Sequence, residues 1–478
     1  MKIEKWAKGE LEFKGPSGGN PFVEVEFGAV FRTGGRSVRV PGFYNGDGRY
    51  LVRFMPDSTG RWEYETYSSE SKLSGQSGSI DVTEATTKGN HGPVYADPPA
   101  GFVYADGTPF FAVGTTAYVW THQPEAVQDQ TVATLAEAPF NKIRMCLFPK
   151  HYVFNENDPE NYVFPRKEDG SFDLERFDPD FFQAFEKRIE QLLSLGIEAD
   201  LILFHPYDRW GFANMRPEVN ARYLRYVVAR LAAYRNVWWS FANEWDLVKE
   251  RPVTEWDEFF RIVAGADPYQ HLRSIHNCRT WYDHTKSWVT HLSVQSSDVE
   301  SVDRWRREFR KPVCVDECCY EGDVPKGWGN ITAEELTRRM WETSVRGGFP
   351  AAHGETYMND DDQLWWAKGG TLIGQSPARF AFLREIFEQA PRACELEPKR
   401  NVFEYTALEK DGEWYLAYFG FRQPRKVSVN LPDSAHFAVD IIDTWNITIE
   451  EKSGTFSGSL RVELPGRPYM AVRIRKAS

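Results

Sequence analysis

The sequence contains no apolar run approaching the roughly 20 residues of a membrane span, so a helical membrane protein is excluded. Positive charge is not in excess either. Lys and Arg number 57 against 69 Asp and Glu, a formal net charge of -12, and the concentrated cations that phosphate binding needs are missing. Neither nucleic acid nor an anionic membrane is therefore the expected partner. Cysteine is scarce: Cys146, Cys278, Cys314, Cys318, Cys319 and Cys394 are six in 478 residues, too few for a disulfide framework, and all are expected to be reduced. The adjacent Cys318 and Cys319 come without CxxC or histidine spacing, and neighbours in a strand face opposite sides, so they do not read as a metal site. There is no GxGxxG, Walker-type loop, internal repeat or low-complexity tract, so nucleotide-dependent chemistry is not expected and no cofactor is implied. The start, Met1-Lys2-Ile3-Glu4-Lys5-Trp6, lacks the apolar stretch of a secretory signal, and the expected location is the cytoplasm.

What is present is a long chain with 41% hydrophobic residues, enough for a sizeable core and several domains. Residues 1–86 alternate as strands do. Val23, Val25 and Phe27 alternate with Glu24 and Glu26, and Trp62, Tyr64 and Thr66 with Glu63 and Glu65. Turn-formers such as Asn45-Gly46-Asp47-Gly48 lie between these runs and no convincing helix appears, as in a small immunoglobulin-like β-sandwich. A Gly- and Pro-bearing linker is expected over 87–100. The tail, 394–478, returns to strands at Trp414-Leu416-Tyr418, Val427-Val429-Leu431 and Leu460-Val462-Leu464, a second sandwich.

Between them, over 101–393, short apolar runs alternate with segments of helical spacing. Eight strands are expected: 110–115, 142–148, 198–204, 237–242, 273–276, 292–295, 313–316 and 348–352. Asp178-Pro179 supplies an N-cap and first turn for a helix with Phe181, Phe185, Ile189 and Leu193 every four residues, and Gly196 closes it. Thr332 and Glu335 form a capping box, and Ser376-Pro377 opens the last helix. Eight strands with alternating helices, and no glycine-rich phosphate turn, favour an α/β fold of the (β/α)8 TIM barrel type over a doubly wound sheet. The plan is sandwich, barrel, sandwich.

Active sites of such barrels form at the carboxyl ends of the strands. Val237-Trp238-Trp239-Ser240-Phe241-Ala242 runs directly into Asn243-Glu244 after strand four, and Val313-Cys314-Val315-Asp316 runs into Glu317 after strand seven. Cleaving a glycosidic bond needs one protonated carboxyl for the leaving oxygen and one carboxylate for the oxocarbenium-like carbon. Two acids on facing strands can divide those tasks.

Asn243-Glu244 and Glu317 in these positions resemble the paired signature of glycoside hydrolase clan A. The resemblance extends to Arg144 after strand two and to His205 after strand three, positions that in the clan carry a nucleophile-orienting arginine and a substrate-side histidine. Ala105-Asp106-Gly107-Thr108-Pro109-Phe110-Phe111 followed by Gly114-Thr115-Thr116-Ala117 resembles the apiosidase-like barrel family in particular. Gly42-Phe43-Tyr44 and Ser58-Thr59-Gly60-Arg61-Trp62 resemble the DUF5060-type domain that precedes such barrels, and the tail its DUF5605-type companion. The resemblance implies retention of configuration with Glu317 as nucleophile and Glu244 as acid/base, acting on β-D or equivalent α-L linkages. The substrates it suggests are small plant-derived oligosaccharides or glycosides, including pentofuranosides. Physically, Arg144 would favour ionised Glu317, while an apolar setting from Trp245 and the charge of Glu317 would favour protonated Glu244. Two departures point to a remodelled sugar subsite: Val294-Gln295-Ser296-Ser297 after strand six, where relatives carry His-x-Tyr, and His353-Gly354-Glu355 after strand eight, where a Trp is common.

Residues expected to bind or orient substrate are Asn243, Arg144, His205, Trp120, Trp210, Asp208, His276, Gln295, Tyr320 and Glu355. Tyr118, Tyr207, Arg209, Asp246, Asn277, His353 and Trp365 are weaker rim candidates. Trp and Tyr mixed with Asp, His and Arg suit the apolar faces and polar edges of a sugar. A carbohydrate-binding protein that has lost turnover is the alternative. A metal-dependent hydrolase would require His205, His276 and His353 to converge, a set that no spacing specifies, and no metal is expected.

Overall fold

The computed structural model describes residues 1–359, 364–400 and 402–477. No helix among them is long and apolar enough to cross a membrane.

The amino-terminal residues form a seven-stranded sheet in which Arg36–Tyr44 is shared. Its first part pairs antiparallel with Phe27–Thr33, and its end, Gly42 to Tyr44, pairs with Arg49–Phe54. Changing partner along one strand folds the sheet around Phe13, Phe31, Val52, Phe54, Trp62 and Ile80. The turn after it is made by Gly46, Asp47 and Gly48, all at positive φ, where Gly and Asp are tolerated. Against the helix-free expectation, Pro21–Glu24 makes one helical turn, with Pro at its start.

The expected linker and first barrel strand need correction. Val94–Asp97, Gly101–Tyr104 and Pro109–Phe110 pair as a three-stranded antiparallel sheet, and the barrel strand is Gly114–Thr116. Gly107 at φ 92° and the Asp106 side chain, which accepts from Thr108 N, make the hairpin turn. Phe102 and Phe110 then reach Trp238 and Phe349, with Phe102 ring centroids 5.2 and 4.7 Å away, and stopper the amino-terminal end of the barrel.

Eight buried parallel strands follow. Gly114–Thr116, Lys142–Cys146, Glu198–Ile202, Val237–Ser240 and Arg273–Ser274 pair in that order. Leu292–Gln295, Val313–Glu317 and Phe349–Pro350 form a second parallel set, and the parallel bridges His276–Ser293 and Thr115–His353 join the two sets at both margins. The result is a TIM-like barrel. Helices follow every strand except the fifth. Among the described residues, 275–291 hold none; instead Trp281 stacks on Phe309 and packs on Trp305, while Tyr282 stacks on Phe260, filling the gap between the flanking helices Val253–Ala266 and Val302–Phe309. The capping signals function as expected: Asp178 accepts from Asp180 N and Phe181 N at the start of Pro179–Ser194, and Thr332 accepts from Glu335 N at the start of Ala333–Val345.

In the tail, a six-stranded sheet and the two-stranded ribbon of Lys426–Asn430 with Ser459–Glu463 share one apolar cluster that includes Tyr415, Val429, Phe437, Val462 and Ile474. Buried ion pairs tie the amino-terminal sheet to the barrel. Glu186 receives Arg53 at 2.9 Å and Arg230 at 2.6 Å, and Arg230 also donates to Asn45 at 2.7 Å. Removing one partner from such a trio leaves a buried charge unmatched, so the geometry is tightly specified.

Candidate active site

Strand four ends at Ser240, but its hydrogen-bond ladder continues beyond: Asn243 N donates to Phe204 O, His276 N to Ala242 O, and Trp245 N to His276 O. At that point Glu244 adopts φ 53° and ψ 56°, a left-handed conformation costing a non-glycine residue about 1–3 kcal/mol. The surrounding ladder holds it there. Glu317 is the last residue of strand seven, and Cys319, two residues on, is also left-handed.

Around Glu317 stand four donors. Arg144 Nη1 lies 3.3 Å and His276 Nε2 3.2 Å from Oε1, Trp328 Nε1 lies 3.3 Å from Oε2, and the Tyr118 hydroxyl donates to Oε1. Burial raises its pKa, but His276, Arg144 and Tyr118 outweigh burial and hold the carboxyl well below the usual range. Glu244 is surrounded differently. Its Oε2 accepts from Asn243 Nδ2 at 3.1 Å and from the Tyr207 hydroxyl. The Gln295 amide group faces Oε1 at 3.2 Å and Asn277 O at 3.1 Å; its NH2 must point there, since an oxygen would oppose two oxygens. The Trp245 ring, expected to give Glu244 an apolar wall, packs edge-on against Tyr282 instead.

Asn243 connects the two halves, because its oxygen accepts from Arg144 Nη2 at 2.9 Å and lies 3.1 Å from the Tyr118 hydroxyl oxygen, while its nitrogen serves Glu244. The two glutamates are 6% and 3% exposed, a floor beneath half-exposed Tyr152, Tyr207, Gln295, Trp328 and Trp366. The asymmetry is chemical: the Arg144 guanidinium and the His276 ring approach Glu317, and no ion pair forms at Glu244 among the described residues. One carboxylate is kept ionised and the other is held by neutral donors.

Several expected site residues stand elsewhere. Trp120 is fully buried in the barrel's main apolar cluster. Asp208 spends its carboxylate on the backbone N–H groups of Trp210, Gly211 and Ala213, and Asp246 does the same for Cys278, Arg279 and Thr280. Trp210 stacks on Phe212 and donates to Asp158 in an outer loop, and Arg209 pairs with the same Asp158. His353 and Trp365 both bind Thr115 in the barrel wall. Glu355 accepts from Ile373 N and touches neither glutamate. His205 is buried and sits against Phe148 O; burial foremost, and then Lys150, lower its pKa to about 3, so it is neutral. Tyr320 is buried against Trp366, on the Glu317 side. His205, His276 and His353 thus bond to different partners, and no group of three or more His, Cys, Asp or Glu among the described residues could hold a metal.

Two residues that sequence reasoning passed over are present. Trp328, in the loop after strand seven, carries no signal beyond its residue type. Lys150 follows Phe148-Pro149 just after strand two, a position at the right end of the barrel. Its ammonium lies 3.5 Å from the ring centre of Tyr118, 4.1 Å from that of Tyr207 and 4.5 Å from that of Tyr152, with no hydrogen bond or ion pair among the described residues. It is a caged cation between the tyrosines that serve the two glutamates.

Comparison with known proteins places the whole chain. Residues 100–379 match the model of the apiosidase-like catalytic domain, residues 2–69 a domain of unknown function (DUF5060) and residues 403–475 another (DUF5605). A crystal structure from Bacteroides vulgatus ATCC 8482, assigned provisionally as a glycoside hydrolase, is 40% identical, covers 100% of both chains and superposes with a TM-score of 0.93. A glycoside hydrolase family 5 structure from the same organism, 15% identical over 80% of this chain and 94% of its own, has a TM-score of 0.62 and shares the fold. No match is found among curated proteins. With its catalytic model spanning well over half the residues and a full-length relative at 40% identity, the chain belongs to the apiosidase-like family.

Proposed function

We propose that this chain is a retaining glycoside hydrolase in which Glu317 is the nucleophile and Glu244 the acid/base. The observation that carries the reading is the asymmetry of the two carboxyls. His276, Arg144 and Tyr118 hold Glu317 ionised and ready to attack the anomeric carbon, whereas Glu244 is met by the neutral groups of Asn243, Tyr207, Gln295 and Cys278. In the first step Glu244 gives its proton to the leaving oxygen as a glycosyl ester forms on Glu317; in the second it takes a proton from water, which releases the sugar. Asn243, anchored by Arg144, is placed to steer a sugar hydroxyl beside the bond being cleaved. The substrate class is a small plant-derived oligosaccharide or glycoside with a β-D or equivalent α-L linkage, pentofuranosides included. Val294-Gln295-Ser296-Ser297, standing after strand six where many relatives carry His-x-Tyr and placing the Gln295 amide against Glu244, marks the altered subsite. The catalytic unit is residues 101–393, with β-sandwich units 1–86 and 394–478 beside it.

The test is a screen of aryl glycosides and plant oligosaccharides, run in parallel with Glu244→Ala and Glu317→Ala. Turnover that either substitution abolishes supports the reading. Binding without turnover, unchanged by Glu317→Gln, contradicts it.

A further inference from the structure

Strand two and the turn after it carry three buried cations, and two of them are matched to anions. Lys142 Nζ lies 2.6 Å from Asp200 and 2.9 Å from Asp316, and Arg144 Nη1 lies 3.3 Å from Glu317. Lys150 is the third. It is only 2% exposed, yet its ammonium meets no carboxylate and no hydrogen-bond acceptor among the described residues. Rings surround it instead: Nζ lies 3.5 Å from the ring centre of Tyr118, 4.1 Å from that of Tyr207, 4.5 Å from that of Tyr152 and 5.4 Å from that of Trp366. Aromatic faces steady a cation but leave its charge unmatched by any anion.

The place of this cage decides what can fill it. Tyr118 donates to Glu317 and Tyr207 to Glu244, so the ammonium stands between the tyrosines that serve the two carboxyls. Tyr152, Tyr207 and Trp366 are half-exposed walls of the same cleft. Tyr152 Oη, Arg144 Nε and His205 Nδ1 are sealed from solvent without a partner; the ammonium, equally unpartnered, is not sealed and keeps a face to the cleft. Burial lowers its pKa from the ordinary lysine value, against Cys146, Glu244 and Glu317, which favour the charged form. A bound anion adds to that second side of the balance. A sugar hydroxyl can accept an N–H but leaves the charge unmatched, whereas a carboxylate does both.

We propose that Lys150 is a specificity-determining residue whose caged ammonium binds the carboxylate of a uronic acid unit at or next to the cleaved linkage. This narrows the substrate class of the glycosidase reading, and its place in catalysis rests on that reading; the binding of an acid sugar does not. A hexuronic acid carries its carboxylate on the same ring as its anomeric carbon, which suits a cation set between the groups that serve the acid and the nucleophile.

The experiment is isothermal titration calorimetry of the full-length protein with glucuronic acid against glucose and galacturonic acid against galactose. It is run on the wild type, on Lys150→Met and on the surface control Lys88→Met. In at least one pair the acid is expected to bind the wild type about 10-fold more tightly than the neutral sugar, the effect of one charge-assisted hydrogen bond. That preference is kept in Lys88→Met and lost in Lys150→Met. The methyl ester of the acid should bind the wild type no better than the neutral sugar, an arm that stands even if Lys150→Met does not fold. No acid preference in either pair, or one that survives Lys150→Met or esterification, overturns the proposal. Acid binding through Lys150 without cleavage of any glycoside removes the functional reading and leaves this one; cleavage of a neutral glycoside with no acid preference does the reverse.

Discussion

Arg144 Nη2 donates to the side-chain oxygen of Asn243 at 2.9 Å, while Nη1 of the same guanidinium reaches Glu317 at 3.3 Å. One buried, planar group therefore sets the angle between the residue beside the acid and the nucleophile. Lysine keeps the charge but not the fork. Arg144→Lys is expected to lower kcat/KM about 100-fold, as loss of an orienting partner commonly does, with most of the loss in kcat. Steady-state kinetics beside a circular-dichroism melt check this; equal loss of activity and fold would assign Arg144 to stability alone.

Lys150 separates stability from activity in the opposite direction. Its ammonium is buried among Tyr118, Tyr207 and Tyr152, and burial lowers its pKa from the ordinary lysine value. Lys150→Met keeps the length and removes a desolvated charge, so the melting temperature should hold or rise. Activity should fall at least roughly 10-fold as the two tyrosines lose their shared cation. Full activity in the variant would remove Lys150 from the site.

Trp120 provides a test of placement. A rim tryptophan stacking on sugar would raise KM when truncated and leave the fold intact. A core tryptophan does the reverse. Since Trp120 is fully buried, Trp120→Ala is expected to destabilise by about 3–5 kcal/mol and leave the KM of the folded fraction unchanged. Denaturant titration with kinetics on the same preparation distinguishes them.

Acid sensitivity follows from the buried histidines. Burial lowers His122 to about 4 and His205, His284 and His291 to about 3, against an unfolded value of 6.5. A depressed native pKa means the unfolded chain binds the proton first. Stability is complete above pH 6.5 and is lost as pH falls towards 3 to 4, at roughly 1.4 kcal/mol per pH unit for each histidine. Calorimetry should therefore show the melting temperature falling steadily from pH 6.5 to 4.5; a flat profile would contradict neutral burial.

The fold was legible where local chemistry decides it. Asp178-Pro179 and Thr332 mark helix starts because a cap needs only its own next turn. The reading failed where distant partners decide. Phe110 belongs to an apolar run that looks like a barrel strand, yet it pairs with Phe102 and stoppers the barrel, a pairing no local pattern announces. The missing helix after strand five is filled by Trp281 and Tyr282, which packing alone reveals.

In the site, Asn243, Glu244 and Glu317 could be picked out because each polar residue stands at the carboxyl end of a buried apolar run, Asn243-Glu244 after Val237 to Ala242 and Glu317 at the end of its strand. Asp208 and Asp246 share that position but turn back to cap their own loops, as short acidic side chains readily do. Lys150 went unnoticed because a lysine past a strand usually faces water, and only the three tyrosine rings around it show otherwise.

The account rests on Glu317 taking the sugar and Glu244 managing the proton. The most direct measurement is proton NMR of the anomeric signal in the first product released from a cleaved glycoside, recorded before mutarotation. Retention of the substrate's configuration is the predicted result. Initial appearance of the opposite anomer would contradict it and remove Glu317 from the role of nucleophile.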